Sequence, residues 1–197
     1  MAADPRPYPA RHPAVFLDRD GTLNREVDHL HRVDDLELLP GTATALACLR
    51  EAGFLLVVVT NQSAVARGLL TVPALEEIHA ELQRRLAAAG ARLDALYYCP
   101  HHPDEGDPPF RCRCDCRKPA PGLLHRAAAD LGIDLTASYM VGDTRSDLEA
   151  GWAAGCRTVL VRTGYGSATL QEAGPELLDR VDHVAADLAA AARWIVG

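Results

Sequence analysis

Six apolar residues in succession, "FLLVVV" at 54–59, give way without a break to the polar string "TNQS" at 60–63. A strand that is apolar on both sides must be covered on both sides, which is the environment of a central strand in a parallel sheet. The run is far shorter than the roughly twenty apolar residues that cross a bilayer. It must therefore sit inside a folded α/β layer, and the sequence around it has to supply the covering helices.

It does so by alternation. "AVFL" (14–17) reads as a first strand, and "TATALACLREAG" (42–53) sets Ala45, Leu46, Leu49 and Ala52 on one helical face with Gly53 as the stop. After "FLLVVVT" (54–60), the spacing predicts a helix from about Val72 to Ala89, with a Leu75, Ile78, Leu82, Leu86 stripe and Thr71 as its cap. "ALYY" (95–98) is a further strand. Residues 120–131 read as a helix closed by Gly132, and "SYMVG" (138–142) as a strand. A helix over 145–154, the strand "RTVLV" (157–161) and a terminal strand and helix within "HVAADLAAAARWIV" complete the pattern. Strand and helix in turn predict an α/β, Rossmann-like parallel sheet with helices on both faces, folded as one domain over residues 1–197. The proline-containing start, residues 1–12, reads as a short flexible tail of a cytosolic protein, without the apolar segment of a signal peptide.

The formal net charge of -7 argues against a nucleic-acid or membrane-surface role, since both require a basic face. Any anionic partner should be small and met by a local cluster of arginines; a monomer is the default expectation.

In parallel sheets ligands collect beyond the carboxyl ends of the strands. Three polar motifs fall in such positions, "FLDRDGTLN" with Asp18 and Asp20, "VVVTNQS" with Thr60, and "MVGDTRSD" with Asp143 and Asp147, and a fourth, "RKP" with Arg117 and Lys118, stands ahead of a helix. Taken alone, Asp-x-Asp suits a turn or a helix cap, "TNQS" a polar loop, and "GDTRSD" a capped helix start. Taken together they predict phosphoryl chemistry. Asp18 can attack phosphorus, and Asp20 can give a proton to the leaving oxygen and then take one from water. Asp143 can help hold a hard cation such as Mg²⁺, while Lys118 and the Thr60 hydroxyl grip the remaining oxygens. Lys118 is the only lysine among twenty basic residues. It stands where a compact point charge serves a phosphate better than a guanidinium fork.

These motifs closely resemble the haloacid dehalogenase superfamily over essentially the whole chain. "FLDRDGTLN", "TNQSAVARG", "CPHHP" and "CDCRKPAPG" resemble in particular the D,D-heptose 1,7-bisphosphate phosphatases and their relatives, the histidinol-phosphate phosphatases. The resemblance implies an Asp18 nucleophile that becomes an aspartyl-phosphate, Asp20 as general acid and base, and Thr60 and Lys118 on the phosphoryl group. It implies Mg²⁺ on Asp18, the backbone carbonyl of Asp20, and Asp143, with Asp147 one layer behind. Dehalogenases of the superfamily lack the second aspartate, so Asp20 points to a phosphatase. No large cap domain fits between Asn24 and Pro40. The resemblance frames the substrate with Glu26, Asn61, Gln62, Ser63, Arg67 and Arg117. Thr144 is also a candidate contact, although some relatives carry lysine there. Removal of the 7-phosphate of a heptose 1,7-bisphosphate is the expected reaction, with histidinol phosphate or another small sugar phosphate as the alternative, and a zinc-stapled binding module without turnover as the reading from another class.

Three cysteines alternate in "RCRCDCRKP" (111–119), and side chains on alternate residues point the same way, which suits a shared metal. The resemblance implies a structural zinc on Cys99, His101, Cys114 and Cys116, closing the loop 99–117. Such a donor set leaves no coordination position for water. Cys112 is an extra cysteine that competes for the metal by a two-residue shift, and His102 is a spare imidazole. Cys48 and Cys156 read as ordinary buried residues.

Overall fold

The structure is a computed structural model, and it describes residues 11–197. Residues 1–10 of the expected tail lie outside the described residues. The tail ends sooner than expected, because His12 already pairs with the turn at 132–134: its N–H donates to the Gly132 carbonyl at 3.0 Å, and its own carbonyl accepts from Asp134 at 2.9 Å.

Six parallel strands form one sheet. They are β1 (Ala14–Leu17), β2 (Leu55–Asn61), β3 (Ala95–Cys99), β4 (Tyr139–Gly142), β5 (Arg157–Val161) and β6 (His183–Ala185), in the spatial order β3-β2-β1-β4-β5-β6. The period of two sorts each strand's side chains between two cores. Val15 and Leu17 of β1, Leu56 and Val58 of β2, and Val141 of β4 face one core. Ala14 and Phe16, Val57 and Val59, and Met140 face the other.

Helices cover both sides. α1 (Thr42–Glu51), α2 (Val72–Ala88) and α7 (Leu188–Val196) bury Leu46, Leu49, Leu75, Ile78, Leu82 and Ala191 on the first face. α3 (Gly122–Leu131) and α4 (Arg145–Ala154) bury Leu123, Leu124, Ala127 and Ala150 on the second. The predicted stripe of α2 is buried along its length, and Thr71 caps it by accepting from the Ala74 N–H at 3.3 Å, a contact of about 1 kcal/mol.

Two helices were not expected from the sequence, α5 (Gly166–Glu172) and α6 (Pro175–Leu178). α5 buries only Gly166, so it shows no apolar stripe, and α6 is a single turn. The segment from Asp18 to Gly41 holds one short 3-10 turn, Val33–Asp35, and among the described residues no helix is long and apolar enough to cross a membrane.

Candidate active site

β1 lies between β2 and β4, so the chain leaves its carboxyl end toward one side of the sheet and later returns on the other. A crevice opens where connections diverge in this way. It is a cleft of about 250 Å³, lined by Asp18, Asp20, Thr60, Lys118, Asp143 and Asp147. Glu26, Asn61, Gln62, Ser63, Arg117 and Thr144 line it as well. Arg67 is absent from the lining; its guanidinium pairs with Glu105 on the 99–117 loop.

At the floor of the cleft three buried carboxylates face one ammonium. Lys118 Nζ lies 2.6 Å from Asp18 Oδ1 and 2.6 Å from Asp147 Oδ1, and donates its third bond to the Val59 carbonyl at 2.8 Å. All three donors of the lysine are thereby used. Burial works against a charged lysine, but Asp147 and Asp18 outweigh it and raise its pKa. Asp147 spends its other oxygen on the Thr144 N–H and hydroxyl, capping α4.

Asp143 stands against Gly21 and Gly164. Its Oδ2 accepts from the Tyr165 N–H at 2.7 Å, whereas its buried Oδ1 has no partner among the described residues. Both glycines have positive φ, and a Cβ on either would come within about 2 Å of Asp143 Oδ2 (2.2 Å from Gly21, 2.1 Å from Gly164). One lysine cannot neutralise three acids. Burial, with repulsion from Asp147 and Asp20 and against the pull of Lys118, raises Asp18 to about 7. Burial, with repulsion from Asp18 and Asp147, raises Asp143 to about 8. Oxygens of Asp18, Asp143 and Asp147 lie within 4.8 Å of one another. An excess of buried negative charge, all-oxygen donors and an orphaned carboxylate oxygen fit a hard divalent cation such as Mg²⁺.

Asp20 is held differently. Arg19, with no exposure, closes on it through Nη2 at 2.7 Å from Oδ2 and Nε at 3.2 Å from Oδ1. Asn24 and Gln62 each donate at 2.9 Å. Burial would raise its pKa, but the Arg19 charge and these hydrogen bonds hold it below the usual value. Gln62 also donates to the Thr60 hydroxyl and accepts from Arg19. Behind Arg19 stands His79 of α2, its Nε2 3.1 Å from Arg19 Nη1. Neither Arg19 nor His79 was singled out from the sequence. His79 had left a signal: it lies four residues after Leu75, on the apolar stripe, where a polar residue needs a buried partner.

Asn61 turns its amide to the backbone of residue 118: Nδ2 donates to the Lys118 carbonyl and Oδ1 accepts from the Lys118 N–H, both at 3.0 Å. Arg117 donates to the His101 carbonyl at 3.0 Å. Asp28 and His29 line the cleft mouth with φ of 50° and 72°, in the left-handed region that non-glycine residues rarely occupy. Tyr165, exposed at the same mouth, went unremarked in the sequence because α5 was not expected there.

Beside the cleft, Cys99, His101, Cys114 and Cys116 come together. The six separations among Cys99 Sγ, Cys114 Sγ, Cys116 Sγ and His101 Nδ1 all lie between 3.2 and 3.6 Å. Four points nearly equidistant from one another can only be the corners of a tetrahedron. Three sulfurs and one imidazole nitrogen on those corners fit zinc. Cys112 is outside the cluster, and His102 Nδ1 accepts from the Asp104 and Glu105 N–H groups instead. Burial and neighbouring sulfurs raise the Cys99 thiol well above its ordinary value and Cys116 to about 11, an electrostatic cost that a bound cation reverses.

Comparison with known proteins gives a consistent picture. Residues 115–191 match the HAD-hydrolase-like family model. The chain is 44% identical over 167 residues to the D-glycero-beta-D-manno-heptose-1,7-bisphosphate 7-phosphatase of Photorhabdus laumondii, covering 84% of this chain and 89% of that one. It is 49% identical over 153 residues to the protein of that name from Escherichia coli K12, covering 77% and 80%. Among solved structures, the D,D-heptose 1,7-bisphosphate phosphatase of B. bronchiseptica, in complex with magnesium and phosphate, aligns with a TM-score of 0.82 at 40% identity, over 93% of this chain and 98% of that one.

Proposed function

The chain belongs to the heptose-1,7-bisphosphate 7-phosphatase family of HAD-like hydrolases, and from that premise we propose that it removes the 7-phosphate of D-glycero-D-manno-heptose 1,7-bisphosphate through an aspartyl-phosphate on Asp18. The observation that carries this reading is the contact of Asp18 with Lys118, a hundred residues away, inside a cleft that also holds Asp20 and Asp143.

In the first half of the reaction an Asp18 carboxylate oxygen bonds to phosphorus as the bond to the sugar's 7-oxygen breaks. Asp20 gives its proton to that departing oxygen. In the second half Asp20, now a carboxylate, takes a proton from water as the water oxygen attacks the phosphorus, releasing inorganic phosphate and restoring Asp18. The Arg19 clamp suits Asp20 to the second half, and the arriving phosphate dianion favours its protonated form for the first. The Lys118 charge and the Thr60 hydroxyl would lie toward the phosphoryl oxygens, where fixed positive charge and dipoles are worth most as charge develops.

Mg²⁺ would be held by Asp18, Asp143 and the Asp20 carbonyl; bound there, it supplies positive charge that keeps Asp18 ionised and offsets the phosphate dianion. Zinc on Cys99, His101, Cys114 and Cys116 would fix Cys116, two residues before Lys118, and so the backbone that aims the lysine. Arg117, Glu26 and Ser63 remain at the cleft for the sugar and its second phosphate, with Arg117 able to form a bidentate contact.

The relatives favour the bisphosphate over histidinol phosphate. The test compares kcat/KM for the two and follows which phosphate leaves. Preference for the bisphosphate with heptose 1-phosphate as product is expected, and equal use of histidinol phosphate would overturn the substrate. Asp18→Asn should abolish turnover; wild-type rates in that variant would end the aspartyl-phosphate mechanism.

A further inference from the structure

We infer that Asn61 is a positioning residue for Lys118, and that its amide serves the enzyme's own backbone rather than the sugar. This inference rests on the phosphatase reading above.

Asn61 is the last residue of β2, paired in register with Cys99 of β3. The period of two places its Cβ on the side of Val57 and Val59, the face that packs against Cys99, Cys116 and Leu123. Residue 118 passes over that same face. A primary amide carries a donor and an acceptor side by side, as a peptide edge does. Asn61 uses them on both backbone groups of one residue, the N–H and the C=O of Lys118, each at 3.0 Å. The result extends the sheet by one side-chain rung.

Two different anchors therefore bracket the lysine's backbone. Cys116 holds it from the four-residue cluster, and Asn61 holds it from the sheet. The side chain is held in turn at its far end, where Nζ meets Val59, Asp18 and Asp147 at 2.6–2.8 Å. An ammonium with three short bonds in three fixed directions tolerates little displacement of the chain that carries it. Serine lacks the reach and the second function, and aspartate would set a carboxylate against the Lys118 carbonyl. Neither reproduces the rung.

Removing a residue that acts this way lowers the rate of chemistry on any ester, because the lysine it aims serves the phosphoryl site and not the sugar. A sugar contact would act on one substrate. The experiment measures kcat and KM for the wild type, Asn61→Ala and Asn61→Ser, on heptose 1,7-bisphosphate and on p-nitrophenyl phosphate, with zinc content for each protein. A fall in kcat of about 10- to 100-fold on both substrates, with KM moved less than about 3-fold and zinc retained, is expected. In a Lys118→Ala background the Asn61 substitution should add less than about 2-fold, since its route of action is gone. A rise in KM confined to the bisphosphate overturns the inference in favour of a sugar contact. Loss of zinc along with activity, or a full multiplicative loss on top of Lys118→Ala, overturns it too. Wild-type enzyme that cleaved the generic ester but ignored the bisphosphate would sink the substrate assignment alone, and Asn61 would still be decided on the ester.

Discussion

Arg19 and Asp20 are consecutive in sequence and face each other as a closed fork, Nη2 to Oδ2 at 2.7 Å and Nε to Oδ1 at 3.2 Å. Their side chains differ in exposure, 0% for Arg19 and 18% for Asp20. The arginine is wholly inside the protein and the carboxylate reaches the cleft. A buried guanidinium spent on one carboxylate sets where that carboxylate points.

Arg19→Lys removes the planar fork and keeps the charge. The lysine cannot span Asp20, Gln62 and His79 together, so the carboxylate gains freedom. We expect kcat to fall about 10-fold or more with a smaller change in KM, measured on a sugar bisphosphate under saturating Mg²⁺. Equal kcat in the two proteins would show that the fork does not orient Asp20.

His79 makes folding sensitive to acid. Burial and the Arg19 charge lower its pKa from 6.5 to about 3, so the native state keeps it neutral where the unfolded chain protonates it. The associated stability is complete above about pH 6.5 and is lost as pH falls toward 3, by an amount on the order of a few kcal/mol. His79→Gln removes this titration. The gap in unfolding free energy between the two proteins should therefore be flat above pH 7 and shift in the variant's favour by pH 4. Parallel denaturation curves across that range would contradict it.

Gly21→Ala strikes the proposed cation site without replacing a ligand. The new Cβ would fall 2.2 Å from Asp143 Oδ2, and the backbone there has φ +76°. Mg²⁺ at 100 times its Kd should stabilise the wild type by about 2.7 kcal/mol. Thermal melts with and without Mg²⁺ should show that shift in the wild type and little of it in Gly21→Ala, with activity down about 100-fold or more. An undiminished shift would place the cation elsewhere.

Two substitutions two residues apart should separate the role proposed for zinc from that of Lys118. Cys116→Ser should lose zinc and then activity, as the loop that carries Lys118 comes free. Lys118→Arg should keep zinc and still lose most activity, because a guanidinium cannot occupy the point where Val59, Asp18 and Asp147 meet the ammonium. Zinc content by elemental analysis, beside kcat, checks both.

The sheet was legible because "FLLVVV" can be satisfied only between two covered faces, and the four polar motifs because each follows a strand or opens a helix. The partners behind them were not. Arg19 lies inside a quoted motif, yet nothing in its neighbours shows that it faces inward. His79 and Arg19 meet only because α2 packs across β1 and β2, a relationship sixty residues long. The hydrogen bonds of Asn61 to the backbone of Lys118 were not legible either, since local spacing cannot reveal that residue 118 arrives beside it. Alternation gives Cys112, Cys114 and Cys116 the same direction, so the residues alone did not set Cys112 apart; the resemblance named the other two, and the fold of the loop brings those two to the cluster.

The central place of β1 has a consequence for how the protein is made. Val15 is paired on one side with Leu56 and on the other with Tyr139. A ribosome adding about 5–20 residues per second delivers the second neighbour several seconds after the first. Throughout that interval the nascent chain carries an open, apolar strand edge beside Asp18, a surface that other chains can join. Asp18 is thus made well before the second strand that flanks it, and the newborn protein is exposed to mispairing at the strand its activity depends on.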